Sequence, residues 1–86
     1  MTKDVIIPNE LGIHARPAVK IVNIAKEAKS HVWILKNTIR VDAADILDVL
    51  TLSCPKGTKI TIKIDNKSDI NILNDIVKLV ESGFGE

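Results

Sequence analysis

The chain has 86 residues, 45% hydrophobic and 27% charged, with four glycines and three prolines, which is the composition of one ordinary folded domain spanning residues 1–86 rather than a disordered segment. Twelve Lys and Arg against eleven Asp and Glu leave a formal charge of +1. That balance excludes a binder that works by neutralising many phosphates, and with Trp33 and Phe84 as the only aromatics there is no row of rings on which bases could stack, so no nucleic-acid partner is expected.

The first element in chain order is "DVIIP", Asp4 to Pro8, short, β-branched and closed by proline, which predicts a strand running into a loop. From Ala15 the apolar residues Ala18, Ile21, Val22, Ala25 and Ala28 recur at three- and four-residue steps opposite Lys20, Asn23, Lys26 and Glu27, the pattern of an amphipathic helix. "HVWILK" predicts a buried strand, and Asn37-Thr38 a turn into "IRVDA", where Ile39 and Val41 alternate with Arg40 and Asp42. "DILDVLTL" predicts a short helix with Asp45 as its N-cap and Asp48 in its first turn. "CPKG" interrupts the chain before "TKITIKID", whose Ile60, Ile62 and Ile64 alternate with Lys59, Thr61 and Lys63. Ser68 is then placed as the cap of a last helix carrying Ile70, Leu73, Ile76, Val77 and Val80 on one face and ending at Gly83.

The order β-α-β-β-α-β-α predicts an α+β fold, with one mainly antiparallel sheet covered by helices on one face and wet on the other. Lys59, Thr61 and Lys63 are expected on the wet face. No apolar run long enough for a membrane span or a signal-peptide core follows Met1, and the single cysteine, Cys54, has no partner for an internal disulfide. Both features point to a cytoplasmic protein without membrane insertion. His31, at a strand start, reads as a surface residue, and the scattered His, Cys and acidic residues offer no metal site.

Chemistry concentrates in "NELGIHARPA", Asn9 to Ala18. If the helix starts just after His14, then Ala15, Arg16 and Pro17 form its first turn, where backbone N–H groups have no intrahelical partner. Pro17 fits there because it gives up only an N–H that the helix does not use, and the amides of Ala15 and Arg16 are left to meet an anion. Arg16 adds a guanidinium able to grip phosphate oxygens in pairs, and Gly12 supplies a turn with positive φ. Imidazole is a competent nucleophile near neutral pH, and positive surroundings favour its unprotonated form, so His14 can accept a phosphoryl group. Spacing alone leaves a second reading open, in which His14 only caps the helix and Arg16 is a solvated surface charge.

"GIHARPA" resembles the active-site sequence of the histidine-containing phosphocarrier protein, HPr, of the phosphoenolpyruvate-dependent phosphotransferase system. The resemblance extends over essentially the whole chain, through the hairpin, the short middle helix, the "KG" before the last strand and the closing "SGFGE". "NELGIHARPA" together with "SGFGE" is also similar to the nitrogen-branch phosphocarriers, so the sugar and nitrogen branches both stay open. The resemblance implies an open-faced β-sandwich of a four-stranded antiparallel sheet and three helices. It implies that His14 takes a phosphoryl group from phospho-Enzyme I and hands it to an Enzyme IIA-type domain, with Arg16 as the phosphate-binding arginine. Such a protein is a carrier with a covalent phosphohistidine, without turnover of its own and without a cofactor, and is expected to be a monomer.

In this family the partners dock on an apolar surface around the first two helices, which here matches Ala15, Val19, Ile46, Leu47 and Leu50. Lys20 and Lys26 are expected on a solvated face, the alternative being that they steer an acidic partner. The departure from the family is Asp45, where many HPr proteins carry a serine that a regulatory kinase phosphorylates. Aspartate is no acceptor for such a kinase, and its plain reading is an N-cap. The sharper one is a fixed negative charge in a regulatory binding protein that engages an enzyme or a transcription regulator.

Overall fold

The computed structural model describes all 86 residues. Four strands form one sheet: β1 (Thr2–Ile6), β2 (Val32–Lys36), β3 (Ile39–Asp42) and β4 (Lys59–Ile64), in the order β1-β4-β2-β3. Every neighbouring pair is antiparallel. It follows that β1 runs parallel to β2 with β4 between them, and β3 runs parallel to β4 with β2 between them. Parallel strands cannot be joined by a tight turn, and helices supply the two crossovers. These are α1 (Ala15–Ala25) after β1 and α2 (Ile46–Thr51) after β3, while α3 (Ile70–Glu81) follows β4. The expected α+β open-faced sandwich, four strands and three helices, is the architecture observed.

Register follows from burying the β-branched face. Val5 opposes Ile60, Ile34 opposes both Ile62 and Val41, and Val32 opposes Ile64, and all of these side chains are buried. A one-residue slip in any pair would exchange these isoleucines for lysines and threonines. The helices answer with Ala18, Ile21, Val22 and Ala25 of α1 and Leu73, Ile76, Val77 and Val80 of α3, while the six-residue α2 buries Val49 alone. On the opposite face Lys59 is exposed, but Thr61 and Lys63 are half-buried between flanking strands, and Thr61 donates its hydroxyl proton to Asp4 at 2.6 Å. The Arg40 guanidinium lies 4.2 Å from the centre of the Trp33 ring, and His31 stacks on the same ring at 4.9 Å.

One expected cap is corrected. Ser68 does not cap the last helix: Asn66 does the capping one turn earlier, its Oδ1 accepting from the Ser68 amide and hydroxyl, both at 2.9 Å, to open a 3-10 turn over Lys67–Asp69 that leads into α3. The serine hydroxyl donates to Asn66 and accepts from no helix amide. Asp69, with no side-chain capping bond of its own, is turned inward and 2% exposed. There it accepts from the amides of Lys29 at 2.8 Å and Ser30 at 3.0 Å, pinning the turn between α1 and β2.

Candidate functional site

The loop from Asn9 to His14 is held by its contact with the segment before β4. The Ile13 amide donates to the Cys54 carbonyl at 2.9 Å, and Ile7 exchanges backbone bonds with Gly57 and Thr58. Gly12 has φ +64° and is buried, and a Cβ there would lie 2.1 Å from the Cys54 oxygen and 2.8 Å from the Pro55 Cα. Two constraints therefore meet at Gly12, a left-handed backbone and a close approach, where the sequence pattern indicated only the first. Ile13 plugs into the core beside it, and the chain emerges at His14 with its ring at the surface.

His14 occupies the N-cap position of α1 in an extended conformation, and its carbonyl accepts from Ala18 at 3.0 Å. Its ring makes no capping bond. The reading in which the side chain merely caps the helix is thus not what the geometry shows. The amides of Ala15 and Arg16 donate to no group of the chain, Pro17 has no N–H to offer, and the first turn carries no acidic residue. Pro17 is buried while Ala15 and Arg16 are exposed. The Arg16 guanidinium has no ion-pair partner and lines a shallow cleft with Pro8, Asn9, Glu10, Leu11 and Glu86. On the rim, Glu10 is paired with Lys56 at 2.6 Å, and that hydrogen bond with the lysine's charge holds its carboxyl below the ordinary glutamate value.

The side chain that meets His14 is Glu86. Its Oε2 lies 2.7 Å from His14 Nε2, and its Oε1 accepts from Asn9 Nδ2 at 2.8 Å. The Asn9 amide also donates to the Gly12 carbonyl at 2.8 Å, so Asn9 ties the loop and the carboxylate together. The Asn9 hydrogen bond foremost, then the bond from His14, its charge and that of Arg16, outweigh desolvation and hold the Glu86 carboxyl below its ordinary value. A carboxylate only accepts, so the proton of this contact belongs to Nε2, and a neutral ring in this contact has its lone pair on Nδ1.

Glu86 arrives there through a turn with three successive positive φ values, Gly83 +72°, Phe84 +60° and Gly85 +75°. Glycine adopts this conformation freely, and the cost at Phe84, of order 1–3 kcal/mol, is offset by burying its ring completely. Lys20, expected in solvent, instead donates its ammonium to the Phe84 carbonyl and ties α1 to this turn. Spacing gives Asn9 and Glu86 no role at the site. The nearest in sequence to His14 is five residues away, and Glu86 lies 72 positions from it.

The other expected residues fall into two groups. Ala15, Val19, Leu47 and Leu50 are exposed on the packed pair α1 and α2, with Val19 at 42% and Leu47 at 72%. Ile46, expected with them, is half-buried and packs against the core, because it leans inward with Val49 and leaves Leu47 and Leu50 facing out. Leu11, which spacing did not indicate, is 71% exposed beside Arg16 in the cleft. Asp45 caps α2, Oδ1 accepting from Leu47 at 3.0 Å and Asp48 at 3.2 Å. His31 is exposed on the far side of the hairpin with Trp33 and Asp42. Cys54 is buried, and burial pushes its thiol up, which removes it as a nucleophile. No three His, Cys, Asp or Glu side chains converge in a way that would hold a metal ion.

Residues 1–82 match the family model described as the PTS HPr component phosphorylation site. The chain is 33% identical over 86 residues to the phosphocarrier protein HPr of Neisseria meningitidis, covering 100% of this chain and 97% of that one. It is 31% identical over 83 residues to the phosphocarrier protein NPr of Proteus mirabilis, covering 95% and 92%. Among solved structures, HPr from Thermoanaerobacter tengcongensis superposes with a TM-score of 0.93 at 29% identity, covering 100% of this chain and 97% of that one. Sequence and fold agree, and the chain belongs to the HPr phosphocarrier family of the phosphotransferase system.

Proposed function

We propose that His14 accepts a phosphoryl group on Nδ1 from phospho-Enzyme I and passes it to an Enzyme IIA-type domain. The observation that carries this reading is the juxtaposition at the start of α1: an accessible imidazole beside two unpartnered amides, Ala15 and Arg16, and an unpaired guanidinium. Phosphoryl transfer asks a protein mainly for positioning and charge stabilisation, and these groups supply both. The amides and the partial positive end of the helix receive the equatorial oxygens, and Arg16 grips two of them. The Nδ1 lone pair forms the new bond to phosphorus as the donor's bond breaks and its electron pair stays with the donor. The phosphohistidine then serves as donor in the reverse sense, so the protein is a carrier whose turnover requires two partners.

Exposed Ala15, Val19, Leu47 and Leu50, with Leu11 across the cleft, form the apolar surface on which both partners would dock in turn. Half-buried Ile46 supports this surface from below. No helix is long and apolar enough to cross a membrane, so membrane components of the system would be reached through Enzyme IIA. A regulatory role for Asp45 gains no support, since capping two amides accounts for its carboxylate.

Incubation with Enzyme I and phosphoenolpyruvate, followed by intact mass, tests the reading. The expected result is a gain of one acid-labile phosphoryl group that is discharged by an Enzyme IIA domain and absent in His14→Ala. A phosphorylated His14→Ala would place the acceptor elsewhere.

A further inference from the structure

The two outer strands, β1 and β3, leave the sheet with different edges. The Ile64 amide donates to the Met1 carbonyl and Ile7 exchanges bonds with Gly57 and Thr58, so the odd-numbered residues of this first segment turn their backbone groups toward β4. By the alternation of a strand, the N–H and C=O groups of Thr2, Asp4 and Ile6 point the other way, where no strand lies and none of them finds a partner. On β3 the outward residues are Arg40 and Asp42, and Asp42 is already taken: its amide donates to Asp48 Oδ2 at 3.3 Å and its carbonyl accepts from Asp45 at 3.1 Å. The turn before α2 thus closes β3, whereas β1 keeps three open residues. Ile6 among them is 53% exposed, and Lys3, the one cation of the strand, is drawn to Asn74 of α3 at 2.9 Å. Folded proteins ordinarily close or charge such an edge, because it is a template for another strand.

We propose that the free edge of β1 is a docking site for an extended segment of another protein, which adds to the sheet as an antiparallel strand and carries a lysine or arginine opposite Asp4 and an aliphatic residue opposite Ile6. The inference is independent of the carrier reading. Backbone bonds to Thr2, Asp4 and Ile6 supply affinity without sequence preference, and the side chains beside them supply the preference. Asp4 Oδ1 accepts from Thr61, but Oδ2 is 3.8 Å from the Lys59 ammonium, too far for a hydrogen bond, and is free to take a closer cation. A groove along this edge is lined by Asp4, Val5, Ile6, Pro8, Lys59 and Glu81, two carboxylates against one ammonium beside an apolar wall. Pro8, next in the alternation, has no N–H to offer and ends the site. A second copy of the chain fits this edge badly. Pairing β1 with itself about Asp4 sets two carboxylates face to face, a shift one way sets Lys3 opposite Lys3, and a shift the other way brings Pro8 into the ladder. Like charges directly opposite destabilise a strand pair, so the charge of the edge selects a partner of different sequence.

The test titrates the full-length protein at low salt with a capped peptide, Ile-Val-Lys-Glu-Thr, and follows the backbone amides by nuclear magnetic resonance. In antiparallel register its isoleucine opposes Ile6 and its lysine opposes Asp4. The expected result is saturable shifts along Thr2 to Ile6 and slowed amide exchange at Thr2, Asp4 and Ile6. A peptide with glutamate in place of the lysine should bind roughly fivefold more weakly or worse. Asp4→Pro deletes one outward N–H that β4 does not use, so the sheet should persist while binding is lost. Ile6→Lys leaves the backbone as it is and should weaken binding severalfold, a reading that does not depend on how the proline variant folds. Shifts absent from β1 at millimolar peptide, equal binding of the lysine and glutamate peptides, or full binding to Ile6→Lys would overturn the proposal. So would dimerisation of the unaltered protein in sedimentation that Ile6→Lys abolishes, which would give the edge to a second copy.

Discussion

The carbonyl oxygen of Cys54 lies 2.1 Å from where a Cβ at Gly12 would stand, so the loop that presents His14 is seated directly on the backbone that precedes β4. The same carbonyl accepts the Ile13 amide at 2.9 Å, one residue before the histidine. Backbone meets backbone on both sides, and neither can give as a flexible side chain would. Gly12→Ala should therefore lose more than the 1–2 kcal/mol ordinarily charged for a left-handed residue. Denaturant unfolding measures the loss, and amide spectra should place the largest shifts at Ile13, His14 and Cys54. A loss below about 1 kcal/mol would mean that the two segments separate easily.

Arg16 has no partner in the protein, so its replacement tests the phosphate site without disturbing the fold. Arg16→Lys keeps the charge but not the planar, paired donors. Stability should stay within about 0.5 kcal/mol of the original, while phosphoryl acceptance slows without stopping. Rapid-quench transfer from phospho-Enzyme I gives the rate, and equal rates would make Arg16 a solvated bystander.

Asp69 joins α3 to the turn between α1 and β2 through two partly buried hydrogen bonds. Asp69→Ala strands the amides of Lys29 and Ser30 and should cost about 2–4 kcal/mol, a fall in Tm of roughly 10 °C or more for a domain of this size. Asp69→Asn keeps one acceptor oxygen and should lose about half as much. Calorimetry of both variants decides the matter. Phosphoryl transfer at a temperature where both are folded should be unchanged, because neither bond reaches the site.

Asp45 accepts two amides at the start of α2 and leaves its charge beside exposed Leu47. Serine is an equally good N-cap, so Asp45→Ser should keep most of the stability, whereas Asp45→Ala should lose about 0.5–2 kcal/mol. The same pair reads the charge. If it hinders docking, Asp45→Ser accepts phosphate from Enzyme I faster, with a gain that shrinks as salt screens the interface. An unchanged rate at every salt concentration would leave Asp45 as a cap alone.

The elements that the sequence by itself determined are those whose information is local. Ile60, Ile62 and Ile64 alternate because a strand repeats every two residues, and the α3 face from Leu73 to Val80 recurs because a helix repeats every 3.6. Asp45 as a cap, Pro17 in a first turn, and His14 beside Arg16 at a helix start are likewise set by neighbours within four positions. The tertiary structure alone decided the order β1-β4-β2-β3, the descent of Asp69 into the core and the replacement of Ser68 by Asn66 as the cap. It alone decided that Lys20 would leave solvent for the Phe84 carbonyl, that Ile46 would lean inward, and that Asn9 and Glu86 would meet at the His14 ring. No spacing rule links residues 72 positions apart. Their meeting depends on where α3 ends against the sheet, on a left-handed turn held by one buried phenylalanine, and on a loop seated against Cys54, and each of these exists only once the chain has closed on itself.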